Sequence, residues 1–353
     1  SGRSPEGWRR GGRKGGAPHP FPRERPRSLA VPMPAVTLAC HAMATRFELV
    51  LHGDHAPALR AAGEEALRLV EQLEGRLSLF RPASEIARVN AGAARAPVRV
   101  SPEVFALLQR AQKLSAETGG AFDLSVAPLV RCWGFMGGDG CLPSPAAVAE
   151  ARARVGMHLV QLDPDAYTVR FAADGVMLDL GAIGKGYAIE QGAEVLREAG
   201  VTSALFHGGT STVQAIGAPP GEASWQVALE VPSPAPGTPP RLLATVPLRD
   251  EAMSVSAVWG NHFQAGGRTM GHILDPRTGE PAQGTVLTAV VLPSATETDA
   301  LSTALLVLGA AGQETLAGLR PGLRALVVSE SGGRLSVAAR GITPRALAGQ
   351  NPV

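Results

Sequence analysis

Six β-like runs crowd the stretch from Trp225 to Arg340 (WQVALEV, RLLATVPL, AMSVSAV, LTAVVLP, LRALVVS and RLSVAAR), and a single helical stretch, Thr296–Leu308, separates the fourth from the fifth. Parallel strands need a crossover between neighbours, usually a helix. Strands and helices thus mix without a regular βαβ cadence, which favours an α+β fold of mixed, mostly antiparallel sheets with packed helices over a doubly wound α/β sheet. Upstream the pattern is more varied. Arg46–His52 reads as a strand, after which Leu59, Ala62, Ala66, Leu69, Leu73 and Leu77 recur at the three- and four-residue steps of an amphipathic helix. Ser101-Pro102 and Ser144-Pro145 each open a helix as N-cap and first helical residue, with Gly119 and Gly156 closing them. HLVQL, YTVRF and VMLDL, separated by Asp-Pro-Asp and Ala-Asp-Gly turns, predict an antiparallel meander. A helix over Gly184–Ala199, stopped by Gly200, precedes the strands SALFH and TVQAI.

The 353 residues, 45% of them apolar, are enough for one large domain or two intimate lobes. Residues 1–35 carry eight Arg and Lys against two acids with almost nothing to bury, and read as a disordered basic tail; the domain is expected over 36–345. The segment Pro232–Pro240 holds five prolines and reads as a surface loop rather than a linker. Beyond residue 35 the balance is 25 basic to 29 acidic residues, and aromatics are 4% of the chain, which argues against nucleic acid as a partner. No run approaches the roughly 18 apolar residues of a membrane span, and the N-terminal sequence has no secretory pattern, so a cytoplasmic protein is expected. Cys40, Cys132 and Cys141 lack metal-ligand spacing and read as free thiols.

Four segments carry candidate chemistry. In LDLGAIGKGYA (178–188) an apolar run enters three glycines and Lys185 at the start of a helix, where free N–H groups and a cation suit a phosphate; the spacing is that of neither a P-loop nor G-x-G-x-x-G. In TETDALSTALLVLG (296–309) Asp299 and Thr303 stand four apart on a helix otherwise built for burial, a pair of hard oxygens that suits Mg²⁺; the plainer reading is a polar first turn with Thr296 as N-cap. In GHILDPRTGEP (271–281) His272 sits at a strand end beside a rigid turn, suited to a general base, while Asp275 and Arg277 can simply pair with each other. In TGGAFDLSVAPLVRCWGF (118–135) Ala121-Phe122-Asp123 offers a ring and a carboxylate after a glycine pair, suited to a flavin; Phe122 and Trp133 can equally be core.

The types and order of these segments resemble the ApbE family of FAD:protein FMN transferases, over blocks that run from HAMAT (41–45) through LSLFRPASEIARVN (77–90), TGGAFDLSVAPLV, LDLGAIGKGYA, HGG (207–209) and GHILDPRTG to TDALSTALLVLG. The resemblance implies a T-fold-like α+β domain that moves FMN from FAD, releasing AMP, onto a threonine of an acceptor flavoprotein. It further implies that Met43, Phe80, Ala121, Phe122, Asp123, Asp179, Lys185 and Ile273 line the FAD site. Magnesium would be held by the main-chain oxygen of Ala182 with Asp299 and Thr303, and His272 would activate the acceptor hydroxyl. The chain departs from the pattern at Ala44, where the family has glycine, at Gly208-Gly209-Thr210, and at SVSAVWGN (254–261). Those departures keep open a non-catalytic FAD-binding or flavin-delivery protein, and an FAD pyrophosphatase giving FMN and AMP.

Overall fold

The computed structural model describes residues 35–232 and 239–345. Of the expected basic tail only Ala35 falls within them, already paired in the first strand; residues 233–238 of the proline-rich loop lie outside them. In chain order the elements are β1 (Ala35–Ala42), β2 (Thr45–His52), α1 (Ala56–Leu77), α2 (Glu85–Gly92), β3 (Val98–Arg99), α3 (Pro102–Glu117), α4 (Ala127–Cys132), α5 (Pro145–Arg152), β4 (Val160–Asp163), β5 (Thr168–Phe171), α6 (Gly184–Glu198), β6 (Ala204–Gly208) and β7 (Thr212–Ile216). They continue as β8 (Trp225–Val231), β9 (Arg241–Leu248), β10 (Ala252–Ala257), β11 (His262–Ala265), β12 (Arg268–Gly271), β13 (Thr285–Leu292), α7 (Ala295–Leu308), α8 (Gly312–Leu319), β14 (Arg324–Ser331) and β15 (Arg334–Arg340).

The fold is α+β. An antiparallel sheet in the order β1-β2-β6-β7-β10-β13-β14-β15 forms its centre, with β3-β5-β4, β8-β9 and β11-β12 as smaller antiparallel sheets. The central sheet is covered on both faces. One core joins Phe47, Leu49 and Phe206 of the sheet to Leu73 of α1, Ile189 and Leu196 of α6 and Leu301 and Leu305 of α7. A second joins Val213, Met253, Leu287 and Ala289 to Leu229, Leu243 and Val246 of the β8–β9 hairpin. This double cover is why β13 is buried at all eight positions and, but for Thr285 and Thr288, reads as an apolar run rather than an alternation. A satellite core of Leu129, Trp133, Phe135, Val148, Met270 and Leu274 holds α4 and α5 beside β12.

Local signals locate the helices closely. Ser101 and Ser144 are N-caps, accepting from Val104 N and Ala147 N. The buried stripe of α1 follows the expected period but drifts, so Leu67 and Val70 are buried while Leu69 is only partly so. Two expectations fail. The helix after Ser144 ends at Arg152, ahead of Gly156, which sits at φ 140°. VMLDL (176–180) joins no sheet: its Leu178 N–H and C=O both bind the side-chain amide of Asn90, at 2.8 and 2.9 Å, and Asp179 N donates to Leu124 O at 2.7 Å. The third strand of the small sheet is β3 instead, so an amide from α2 satisfies a backbone that a strand would otherwise have to pair.

The β1–β2 hairpin turns on two residues, Met43 and Ala44, at φ 50° and 58°. A two-residue hairpin with both centres left-handed favours Asn-Gly or similar pairs, and the conformation costs a residue with a Cβ about 1–2 kcal/mol. Met43 is held there by Glu74 Oε1, which accepts its N–H at 3.0 Å. Ala44→Gly is therefore expected to stabilise the fold by about 1 kcal/mol, the relief of strain exceeding glycine's greater freedom in the unfolded chain. An unchanged or lower urea midpoint would contradict this.

Candidate active site

The site is organised by two helices that cap one another. At the start of α6, Ile183 occupies the N-cap position and supplies no side-chain cap. The Gly186 N–H donates instead to Asp299 Oδ2 of α7, at 2.9 Å. In return Glu190 Oε2 of α6 accepts from Thr296 N at 3.0 Å and from the hydroxyl of Ser294, the N-cap of α7. The cap is therefore Ser294 and not Thr296, which is fully buried in the first turn with its hydroxyl oxygen unbonded among the described residues. A Cβ on Gly186 would lie 2.2 Å from the Ala295 carbonyl oxygen and 2.7 Å from Asp299 Cβ, so only glycine lets the α6 backbone reach α7. The rest of the polar face of α7 is tied to the sheet: Thr298 to Ser254 at 2.7 Å, Ser302 to Ser256 at 2.9 Å, and Thr303 to Ser256 at 3.3 Å.

Arg110 of α3 completes this lock, reaching Glu190 Oε1 at 2.7 Å and Ser294 Oγ at 2.6 Å. Burial works against the charge on Glu190, but Arg110, Ser294 and the Thr296 N–H outweigh it and hold the carboxyl below its ordinary value. A depressed carboxyl contributes stability above its unfolded pKa and loses it as pH falls through the folded one. Glu190→Gln is expected to lower stability at neutral pH by about 2 kcal/mol. In acid titration the gap from wild type should narrow below the ordinary carboxyl range, and a gap independent of pH would refute the charge's role.

His272 follows β12 directly. The Asn261 carbonyl accepts its backbone N–H at 3.0 Å and lies 3.1 Å from Nδ1. That contact assigns the proton to Nδ1 and leaves Nε2 as the free acceptor. Phe135 stands edge-on to the imidazole with centroids 6.5 Å apart. Burial lowers the His272 pKa, the Asn261 carbonyl opposes this, and the charges of Lys185 and His262 add to the lowering. The imidazole is therefore neutral at pH 7. Asp275 and Arg277 pair with each other through two contacts of 2.8 Å, which fixes the turn after Leu274, itself bridged to Pro281.

These groups share one cavity of about 1030 Å³, at the upper end of the roughly 300–1,000 Å³ usual for small-molecule sites. Ala121, Phe122, Asp123, Asp179, Ala182, Lys185, His272, Ile273, Asp299 and Thr303 all line it. Met43 and Phe80 do not: Met43 packs at the hairpin turn and Phe80 is 70% exposed. Phe122 is buried and Asp123 is anchored rather than projecting, its carboxylate accepting from Ser125 N, Ser125 Oγ and Met157 N at 2.8, 2.5 and 2.9 Å. The loop is thus a rigid wall. Asp179 accepts from Gly181 N at 2.8 Å; crowding by the protein raises its carboxyl pKa, against the pull of that N–H and of Lys185. Trp259, Asn261 and an apolar wall from β8 complete the lining.

Among the described residues no group of three or more His, Cys, Asp or Glu side chains could hold a metal. On α7 the oxygens available are the Asp299 carboxylate, bonded only through Oδ2, and the Thr303 hydroxyl, whose contacts are long at 3.3 Å; Ala182 of the glycine-rich segment lines the same cavity. Such a set suits a hard ion that keeps water and takes ligand phosphate oxygens, as Mg²⁺ does, and does not suit a soft metal.

The sequence model of the ApbE family matches residues 43–327. A FAD:protein FMN transferase of Treponema pallidum is 33% identical over 287 residues, covering 77% of this chain and 78% of the relative. One from Salmonella typhimurium is 28% identical over 323 residues, 88% of each. Among solved structures, the ApbE protein of Thermotoga maritima superposes with a TM-score of 0.76 at 27% identity, covering 86% of this chain and 96% of that one. The flavinyl transferase ApbE of Pseudomonas stutzeri does so at 0.73 and 29%, covering 87% and 95%. With its fold, its ordered sequence blocks and all three comparisons in agreement, the chain is an enzyme of the ApbE family.

Proposed function

We propose that this enzyme transfers FMN from FAD to a threonine hydroxyl of an acceptor flavoprotein. The observation that carries the reading is the convergence, in one dinucleotide-sized cavity, of a neutral histidine, a lysine and a carboxylate–hydroxyl pair, with no Ser, Thr or Cys side chain hydrogen-bonded to a histidine among the described residues. A pyrophosphate exchange needs no such nucleophile. The threonine oxygen bonds to the FMN phosphorus as the bond from that phosphorus to the bridging oxygen breaks, and AMP leaves with that oxygen. The hydroxyl proton passes to His272 Nε2. Lys185 adds positive charge beside the phosphates, and the wall of Ala121, Phe122 and Ile273 excludes water from the flavin end. Mg²⁺ bound by Asp299, Thr303 and the Ala182 carbonyl would supply the remaining charge neutralisation on the pyrophosphate.

The test is incubation with FAD, Mg²⁺ and a flavoprotein domain carrying an acceptor threonine, followed by intact mass. A gain of one FMN on the acceptor, with AMP in equal amount and no gain when Mg²⁺ is chelated, is the expected result. AMP and free FMN without acceptor labelling would make the protein an FAD pyrophosphatase. Bound FAD left intact would make it a flavin carrier.

A further inference from the structure

The loop that presents Phe135 to His272 is closed at its base by two cysteines. Cys132 is the last residue of α4, and Cys141 returns beside it: Cys141 N donates to Trp133 O at 2.9 Å, Gly140 N to Gly134 O at 3.3 Å, and Cys141 Sγ lies 3.9 Å from Cys132 O. The Cys141 sulfur therefore already lies against the Cys132 backbone, and a disulfide needs the two Cα atoms about 4.4–6.8 Å apart. Cys141 packs over Gly134, where a Cβ would stand 2.9 Å from its sulfur. Cys141 is exposed and Cys132 half-buried, so a small oxidant reaches Cys141 first. The third thiol, Cys40 of β1, contacts Leu67 O, in a different part of the fold.

Two contacts tie this loop to the histidine. Phe135 stands against the imidazole, and the Gly138 carbonyl accepts from Asn261 Nδ2 at 3.2 Å, while the Asn261 carbonyl holds His272. We propose that Cys132 and Cys141 are an oxidisable dithiol, closed by hydrogen peroxide into a disulfide that locks the 132–141 loop against His272. The Cys141 thiolate attacks one peroxide oxygen; the O–O bond breaks, a sulfenic acid forms and, with one proton taken up, a water leaves. The Cys132 thiolate then attacks the sulfenic sulfur, the S–S bond forms, the S–O bond breaks and, with a second proton taken up, the sulfenic oxygen leaves as a second water. Two electrons pass from the sulfurs to the peroxide. Burial, with Cys141 and Glu150 nearby, raises the Cys132 pKa, which favours this order of events.

The experiment treats the full chain with hydrogen peroxide, alkylates the remaining thiols and maps peptides without reduction; amide exchange over residues 133–141 and the rate of His272 modification by diethyl pyrocarbonate are then followed. A Cys132–Cys141 peptide, reversed by a thiol reductant, retained in Cys40→Ser and absent in Cys141→Ser, is expected. Exchange in the loop and modification of His272 should both slow severalfold on oxidation. Cys141 driven to sulfinic or sulfonic acid with Cys132 still alkylatable, or Cys40 as the partner, would overturn the site. A disulfide that leaves both His272 modification and loop exchange unchanged would overturn the coupling. These readouts do not depend on the transfer reaction.

Discussion

Asp299→Asn is expected to leave the protein folded and to lower FMN transfer by about 10³-fold, whereas Asp299→Ala loses activity and stability together. The two roles of this residue separate because they use different properties. As a cap it needs only an acceptor for the Gly186 N–H, which a carboxamide oxygen still offers. As the Mg²⁺ ligand proposed above it would need the negative charge, and loss of one such electrostatic contributor costs on the order of 10²–10³ in rate even without a metal. Alanine leaves the Gly186 N–H buried without a partner, at a cost of about 1–3 kcal/mol. Denaturant midpoints and transfer rates for the two variants, measured side by side, make the check. Should Asp299→Asn transfer FMN within a few-fold of wild type, the carboxylate charge has no part in catalysis.

His272→Gln is expected to lower kcat by about 10²–10⁴-fold with little change in FAD affinity, the range for loss of a general base. The amide is similar in size and can still meet the Asn261 carbonyl, so the loss reports proton transfer rather than collapse of the turn. The pH profile supplies an independent signature. Because burial lowers the His272 pKa, the Asn261 carbonyl only partly opposes it and Lys185 and His262 add to the lowering, the imidazole stays unprotonated at neutral pH, as the proposed base must. In wild type kcat/KM should be level through pH 7 and fall only below the ordinary histidine value of about 6.5. In the variant that acid limb should vanish. A limb centred above pH 7, or one that survives in His272→Gln, would assign the titrating group elsewhere.

Much of the fold was legible because its determinants are local. Serine caps before proline located α3 and α5, a period of three and four located α1, and the six β-like runs after Trp225 matched β8, β9, β10, β13, β14 and β15, whereas the short hairpin β11–β12 and the helix α8 had no matching signal. VMLDL failed because the partner of its backbone is Asn90, 88 residues away, and no strand propensity carries that information. The start of α7 was misplaced for a related reason. Thr296 looks like a cap in sequence, but Ser294 is the one that Glu190 and Arg110 support from other helices. Glu190 itself gave no signal, being one acid among others on a helix until its neighbours are known.

The order of apolar runs and turns was sufficient to determine an antiparallel α+β fold, and the ordered motifs were sufficient to determine the family, because both depend on residue spacing along the chain. The tertiary structure alone decided which of the motif residues share a cavity, that Asp123 is an anchor, and that Asp299 and Glu190 cap each other's helices. It also decided the tautomer of His272, through a carbonyl eleven residues earlier in the chain. Each of these depends on a partner brought near by packing, and hydrogen bonds and desolvation act over a few ångströms of space whatever the separation in sequence.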